Sequence, residues 1–176
     1  SLPYLIEKSP PNLVRTRFLQ RLFPRSCFVI LVRHPIATAY ATQKWSKTSI
    51  PSLLRHWLVC HERFLQDLPF LRRAYVVRYE ELVAHPDDVL AKLFRFIGLD
   101  PIPAEQEVQS GVNDKYLARW TADAKAWRTR LPHRWAVRQL EARAQLMGYS
   151  LRDPHTLLST GFLGPHEPVE GGVVEG

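Results

Sequence analysis

The sequence is poor in the residues that bind metals or form cross-links. Only two cysteines occur among its 176 residues. Cys27 opens an apolar segment and Cys60 falls in an amphipathic one, so neither belongs to a cluster with metal-ligand spacing. We therefore expect two buried thiols and no metal site.

Long apolar runs are also lacking. No run approaches the roughly 18 residues that a membrane-spanning helix needs, and no signal peptide or internal repeat is recognisable. The chain has no initiator methionine and enters structured-looking sequence almost at once, so we expect further chain upstream of residue 1. The sequence leaves the compartment open between cytoplasm and Golgi lumen, because a membrane anchor would lie upstream.

Positive charge is the clearest compositional bias. The 24 Lys and Arg residues outnumber the 17 Asp and Glu residues, giving a net charge of +7, which favours anionic partners such as nucleotides, nucleic acid or acidic glycans. The apolar share of 45% fits one globular domain with a hydrophobic core. Because the basic residues are scattered and accompany no nucleic-acid-binding motif, we do not expect a nucleic-acid partner.

Predicted strands alternate with predicted helices. Short apolar stretches predict strands at 3–8, 28–32 and 74–79. The second is apolar at every position, which is typical of a parallel strand covered on both faces. We therefore predict an α/β fold, a parallel sheet flanked by helices. Periodicity and capping residues predict the helices at 10–22, 35–45, 51–68, 85–98 and 133–147.

Two stretches show less order. Residues 99–132 read as irregular, because the segment from Gly111 to Asp114 and Pro132 interrupt any long element. Beyond Arg152 the chain is rich in Pro and Gly and ends in acidic, feature-poor sequence. We predict a domain over 1–152 and a flexible tail over 153–176.

Charged or aromatic side chains follow each predicted strand. Lys8 ends the first, Arg33 follows the second, and Tyr79 and Glu80 come at the end of the third. In an open parallel sheet these ends share one edge, where ligands collect. Helices that begin just beyond Lys8 and Arg33 would point free backbone N–H groups toward that edge. The arrangement predicts a site for phosphate or sulfate.

The ordered set of segments resembles the sulfotransferases that use 3′-phosphoadenosine 5′-phosphosulfate (PAPS). Order and spacing match over residues 4 to about 150. The resemblance implies a P-loop NTPase-like sulfotransferase fold and transfer of a sulfuryl group from PAPS to a hydroxyl or amine of a glycan, a protein tyrosine or a small molecule. The matching segments are EKSPPN (7–12), FP (23–24), VRHP (32–35), RYEEL (78–82) and LFRFIGL (93–99).

The resemblance also implies roles for individual residues. Arg33 corresponds to the arginine that grips the 3′-phosphate of PAPS, which suits a bidentate guanidinium. Lys8 corresponds to the lysine near the transferred sulfuryl group, where a cation offsets developing charge. Tyr79 corresponds to a tyrosine that often lies near the adenine. We expect Glu80 to order the neighbouring loop rather than to act as a base.

The nucleotide site departs from the family pattern at one helical position. A serine eight residues after the arginine completes the phosphate grip in the family, and here that position is Ala41. Thr42 or Thr38 are the candidates to replace its hydroxyl. The segment 113–120 resembles the loop that related enzymes place over the nucleotide or acceptor, and Lys115 adds positive charge there.

The family's phosphosulfate-binding loop, Pro-Lys/Arg-Ser/Thr-Gly-Ser/Thr-Thr, does not occur in this sequence. We expect that loop and the catalytic base to lie upstream, so that these residues represent the carboxyl-terminal two-thirds of a sulfotransferase domain with little activity alone. The alternative is a non-catalytic anion- or glycan-binding domain derived from such an enzyme.

Overall fold

The computed structural model describes residues 5–102 and 109–167. Within these residues the chain forms short strands and a larger number of helices. Two of the helices are 3₁₀ turns, at Pro10–Val14 and Leu68–Phe70. The other elements are α1 (Thr16–Leu22), β1 (Phe28–Val32), α2 (Pro35–Gln43), α3 (Ile50–Asp67), β2 (Ala74–Arg78), α4 (Tyr79–Ala84), α5 (Pro86–Ile97), α6 (Asp114–Asp123), α7 (Arg130–Leu146) and β3 (Gly164–His166).

The sheet of the described residues has three strands in the order β1-β2-β3. β1 and β2 are parallel, with Phe28 opposite Ala74 and Val32 opposite Arg78. Two helices, α2 and α3, connect them, as a parallel pair requires. The predicted α/β class is thus confirmed as a small sheet flanked by helices. The third strand, β3, was not foreseen and runs antiparallel to β2.

The expectation that both faces of β1 are covered is wrong. Burial alternates along the strand: Val29 and Leu31 are 47% and 51% exposed, whereas Val32 is 2% exposed. Phe28 and Ile30 pack against the core from the covered side. An all-apolar strand therefore has one covered face in the described part of the chain, and its composition alone could not reveal which.

The core lies where α2, α3, α7 and the covered sheet face meet. The amphipathic pattern of α3 predicts an inner face, and of its residues only Leu65 is partly buried instead of buried. The predicted face consists of Leu54, Trp57, Leu58, His61, Phe64 and Leu65. The helix begins at a Ser49 cap whose side chain accepts from the Ser52 backbone N–H. This packing fixes the position of α2 and, with it, the end of β1.

The amino-terminal strand prediction is wrong over the described residues 5–8. They form no strand, and Leu5 and Ile6 are almost fully exposed. Residues 3 and 4 of that predicted strand lie outside the described residues. The helix predicted at 10–22 is divided at Arg15 between the 3₁₀ turn and α1.

The region predicted as irregular contains a helix, α6, which begins directly after Asn113. Pro132 lies in the first turn of α7 instead of preceding the helix. A proline is tolerated there because first-turn backbone N–H groups have no partner within the helix. The segment from Gly111 to Asp114 and Pro132, which were expected to interrupt regular structure, therefore lie at the starts of two helices.

The segment predicted to be a flexible tail from residue 153 includes β3. Gly164 pairs with Val76 and His166 with Ala74. The Leu158 backbone N–H also donates to the Gly148 carbonyl, 2.9 Å away. These contacts join the described part of the segment, up to residue 167, to the sheet and to the end of α7.

The buried His61 predicts a pH-dependent stability. Its Nδ1–H donates to the Trp57 carbonyl at 2.7 Å, and burial lowers the pKa of His61 to about 4, against a partial opposing effect of that bond. In the unfolded chain His61 takes up a proton near pH 6.5, whereas in the fold it stays neutral down to about pH 4. Its contribution to the unfolding free energy is therefore complete above pH 6.5 and is lost as the pH falls toward 4.

We expect wild type to lose about 2 kcal/mol more unfolding free energy than His61→Phe between pH 7 and pH 5. The phenyl ring keeps the stacking on Trp57, where the ring centres are 3.8 Å apart. Urea unfolding at the two pH values measures the difference. Identical pH dependence of the two proteins would show that His61 is not the responsible group.

Candidate functional site

The candidate site lies at the carboxyl ends of the parallel strands. Arg33 follows β1, and Tyr79 begins α4 directly after β2. Because Val32 is opposite Arg78 in the register, these residues emerge at the same edge of the sheet. The guanidinium carbon of Arg33 lies 4.7 Å from the centre of the Tyr79 ring. The structure thus brings together two residues that are 46 positions apart in the sequence.

The Arg33 guanidinium is hydrogen-bonded through Nε, whereas its Nη2 has no partner among the described residues. Its Nε–H donates to Asn113 Oδ1 at 2.9 Å. Its Nη2 is buried and has no hydrogen-bond partner within the described part of the chain. A buried guanidinium nitrogen without a partner is costly for stability unless a ligand or a water molecule supplies an acceptor.

Glu80 joins three separate parts of the fold. Its Oε1 accepts from the His34 backbone N–H at 3.0 Å and from Asn113 Nδ2 at 2.6 Å. Its Oε2 lies 3.0 Å from the Tyr149 hydroxyl, which follows α7. With three donors arranged around it, the carboxylate orders the chain around Arg33, as the sequence suggested.

His34 has a structural position. Its Nδ1 accepts from the Ile36 backbone N–H at 3.2 Å, so the neutral ring caps α2. Burial lowers the pKa of His34 to about 3, and the positive potential of His155 adds to this effect against the opposing Pro154 backbone. A ring that is neutral, buried and committed to a cap is poorly suited to proton transfer at neutral pH.

Positive charge gathers around a second tyrosine, Tyr116 of α6. The Nζ atoms of Lys44 and Lys115 lie 5.5 Å and 5.2 Å from the centre of its ring, and the Arg33 guanidinium carbon lies 5.9 Å from it. Cations in this range are attracted to the ring face. Lys115, predicted to add charge near the nucleotide, therefore belongs to the same aromatic and cationic cluster as Arg33.

The next turn of α6 is fixed to α2. The Tyr40 hydroxyl donates to Asp123 Oδ2 at 2.5 Å, and the Arg119 guanidinium lies over the Tyr40 ring. Burial, followed by the bond to Asp123, raises the pKa of Tyr40 well above its usual value. This contact keeps α6, and with it Asn113 and Tyr116, beside the end of β1.

The other predicted site residues make no hydrogen bond to Arg33 within the described part of the chain. Lys8 is exposed, just before the first 3₁₀ turn. Thr42 is exposed near the end of α2, while Thr38 is half-buried one turn earlier. Ala41 packs against the hydrophobic core, which explains why an apolar side chain suits that position.

A small cavity of about 140 Å³ adjoins the Arg33 network, and Tyr79, Glu80, Val83 and the turn from Gly111 to Asp114 line it. A larger cleft of about 440 Å³ lies near Leu68 and Phe162, with a mostly apolar lining. We place the candidate site at the smaller cavity, because its walls include the residues that hold the guanidinium.

Sequence reasoning placed Asn113 and Tyr116 in a segment resembling a loop over the nucleotide or acceptor but gave neither residue a role, and it missed Tyr149. The segment was predicted to be irregular, so nothing in the sequence indicated a helix start at Asn113 or what its side chain would contact. Asn113 is 80 positions from Arg33, and no local pattern encodes such a contact. Only the packing of α6 on α2 brings them together.

The described residues contain no group of three or more His, Cys, Asp or Glu side chains that could hold a metal ion. Among the same residues no helix is long and apolar enough to cross a membrane.

A guanidinium held at the carboxyl edge of parallel strands, with one buried nitrogen that has no partner among the described residues, defines an α/β protein with a cationic group where the ligands of such sheets collect. The chain belongs to the sulfotransferase family. A family model described as "Sulfotransferase family" matches residues 1–104, more than half of the chain. The match confirms the resemblance of the segments between residues 7 and 99 and supports sulfuryl transfer as the general chemistry. No curated protein gives a significant match.

Removal of the Glu80 carboxylate is expected to destabilise the fold. Glu80→Ala leaves the His34 backbone N–H and the Asn113 amide without this acceptor and leaves the Tyr149 hydroxyl with only its longer bond to the Val32 carbonyl among the described residues, at a cost of about 2 kcal/mol in unfolding free energy. Urea unfolding measures the loss. Asp88→Ala, an exposed carboxylate in the first turn of α5, is the control and should cost well under 1 kcal/mol. Equal small effects would mean that Glu80 does not hold these parts together.

Proposed function

We propose that this chain is part of an enzyme that transfers a sulfuryl group from PAPS to a hydroxyl or amine and releases 3′-phosphoadenosine 5′-phosphate (PAP). The observation that carries the proposal is Arg33, in the family-matched region, whose buried Nη2 has no partner among the described residues. A phosphate oxygen would supply the missing acceptor.

In this proposal Arg33 binds the 3′-phosphate and Tyr79 lies against the adenine. Lys115 adds charge beside the nucleotide, and Thr42 is the candidate hydroxyl next to the phosphate. Tyr79 is partly exposed and lines the small cavity, which supports its role. Lys44 is a further cation of the same cluster, which increases the attraction for a multiply charged nucleotide.

PAPS supplies the activated sulfuryl group. The acceptor oxygen or nitrogen attacks the sulfur in line and loses its proton to a base, while the bond from sulfur to the phosphate oxygen of PAP breaks. The part of this chain is to hold the nucleotide and to stabilise charge as the bond to PAP breaks. Lys8 is the proposed cation near the sulfonate. Its exposed position leaves its ammonium accessible to a ligand.

A non-catalytic anion- or glycan-binding domain is the second candidate. Ala41 favours it, because this side chain packs against the core and offers no hydroxyl to the phosphate. The two candidate functions differ in one outcome: the enzyme converts bound PAPS to PAP, whereas the non-catalytic domain leaves its ligand unchanged.

Incubation of the full-length protein with ³⁵S-labelled PAPS and acceptors of three classes tests the proposal. A glycan, a tyrosine peptide and a simple phenol represent the classes. We expect PAP release that depends on at least one acceptor. PAP binding without transfer to any of them would favour the non-catalytic candidate, and an absence of PAP binding would contradict the enzyme.

A further inference from the structure

We propose that Asn113 is a positioning residue for Arg33. Its side-chain amide, anchored on Glu80, fixes the guanidinium so that Nη1 and Nη2 face the bound 3′-phosphate. The inference rests on the proposed function, because the ligand that reports on it is PAP.

The chemistry of the two neighbours sets the orientation of the Asn113 amide. Glu80 Oε1 can only accept, so the amide group that faces it at 2.6 Å is the NH₂. Arg33 Nε–H can only donate, so the group that faces it at 2.9 Å is the amide oxygen. The reverse orientation would place two acceptors together and two donors together.

The bond to Asn113 decides which edge of Arg33 is available. A guanidinium can bind an anion through Nε and Nη2 or through Nη1 and Nη2. Asn113 occupies Nε, which leaves the edge formed by Nη1 and Nη2. The rings of Tyr79 and Tyr116 lie within 4.7 Å and 5.9 Å of the guanidinium carbon and restrict its movement further.

The conformation at the start of α6 indicates that the Asn113 side chain does more than cap its own helix. Asn113 occupies the N-cap position, where an asparagine side chain normally accepts from the first turn of its own helix. Its side chain makes no such capping bond. Asn113 is only 9% exposed. Its side-chain oxygen accepts from Arg33 and its side-chain NH₂ donates to Glu80 instead. Departures from a favourable local pattern are expected at functional sites.

Calorimetric titration of PAP into the full-length protein and its variants tests the proposal. We expect Asn113→Ala to weaken PAP binding about tenfold, since loss of the bond frees the guanidinium to rotate. Affinity for adenosine 5′-phosphate, which lacks the 3′-phosphate, should not change. In an Arg33→Ala background the same substitution should cause no further loss, because Asn113 acts through Arg33.

Two further variants separate positioning from folding. Asn113→Ser keeps a favoured N-cap residue for α6 but removes the bridge from Glu80 to Arg33, so it should show the same loss of PAP affinity. Thr121→Ala changes an exposed residue of the same helix, whose hydroxyl bonds to the Leu117 carbonyl and to no other group among the described residues, and should bind PAP like wild type.

The outcomes distinguish this inference from the proposed function. If wild type does not bind PAP, or Arg33→Ala binds as well as wild type, the proposed function fails and the inference fails with it. If Arg33→Ala weakens binding but both Asn113 variants match wild type, only the inference fails. Equal losses for PAP and adenosine 5′-phosphate, or additive losses with Arg33→Ala, would also overturn it.

Discussion

Arg33→Ala is expected to weaken PAP binding at least about a hundredfold. Two charge-assisted hydrogen bonds from Nη1 and Nη2, at about 1.5 kcal/mol or more each, correspond to a loss of this size. The buried Nη2 has no competing partner in the described part of the chain, so a ligand would receive the whole interaction. Isothermal titration of PAP into wild type and variant measures the change.

Two variants show whether the effect belongs to the guanidinium fork. Arg33→Lys keeps the charge but loses bidentate geometry, so its affinity should fall between those of wild type and Arg33→Ala. Arg21→Ala removes a cation from the last turn of α1 and should leave binding unchanged. An Arg33→Ala protein that binds PAP within twofold of wild type would contradict the assignment.

Lys8→Ala is expected to lower kcat about a hundredfold or more in the full-length enzyme, with little change in PAP affinity. A cation next to the sulfonate stabilises charge that develops as the bond to PAP breaks, and loss of one such group typically costs this much. Steady-state transfer from PAPS, combined with PAP titration of the same protein, separates the effect on kcat from the effect on binding.

Lys92→Ala, an exposed lysine on α5, is the matched control and should keep the wild-type kcat. If Lys8→Ala weakens PAP binding as strongly as it lowers kcat, Lys8 serves nucleotide binding instead of the transfer step. If neither quantity changes, Lys8 has no part in the reaction.

Local patterns were sufficient to predict β1, β2, α2 and α3, but not α4 or α6, which also carry residues of the site. The apolar run of β1, the helix signals after Pro35 and the amphipathic face of α3 each depend on neighbours within a few residues. The meeting of Arg33 and Tyr79 also followed from the sequence, because parallel strands that are neighbours end at one edge.

Features that depend on packing between distant segments could not be predicted. The contact between Arg33 and Asn113 needs α6 to pack on α2, and β3 needs the chain beyond α7 to return to β2. Likewise, the all-apolar sequence of β1 is compatible with one covered face or two. The structure alone identifies Val29 and Leu31 as exposed.

The position of Ala41 shows how one residue can favour two interpretations. In the sequence it is the missing hydroxyl beside Arg33, which weakens the likeness to the nucleotide site. In the fold the same side chain packs against the core, so an apolar residue has a structural reason to be there. In the proposed site, phosphate binding would then rely more heavily on Arg33 and on its support by Asn113.

The central claim is that the end of β1 binds a 3′-phosphate. Comparison of PAP with adenosine 5′-phosphate on the full-length protein tests it most directly, because the two ligands differ only in that group. We predict that PAP binds at least about a hundredfold more tightly, since the proposed contact of Arg33 is with the group that adenosine 5′-phosphate lacks. Equal affinities for the two nucleotides would contradict the account.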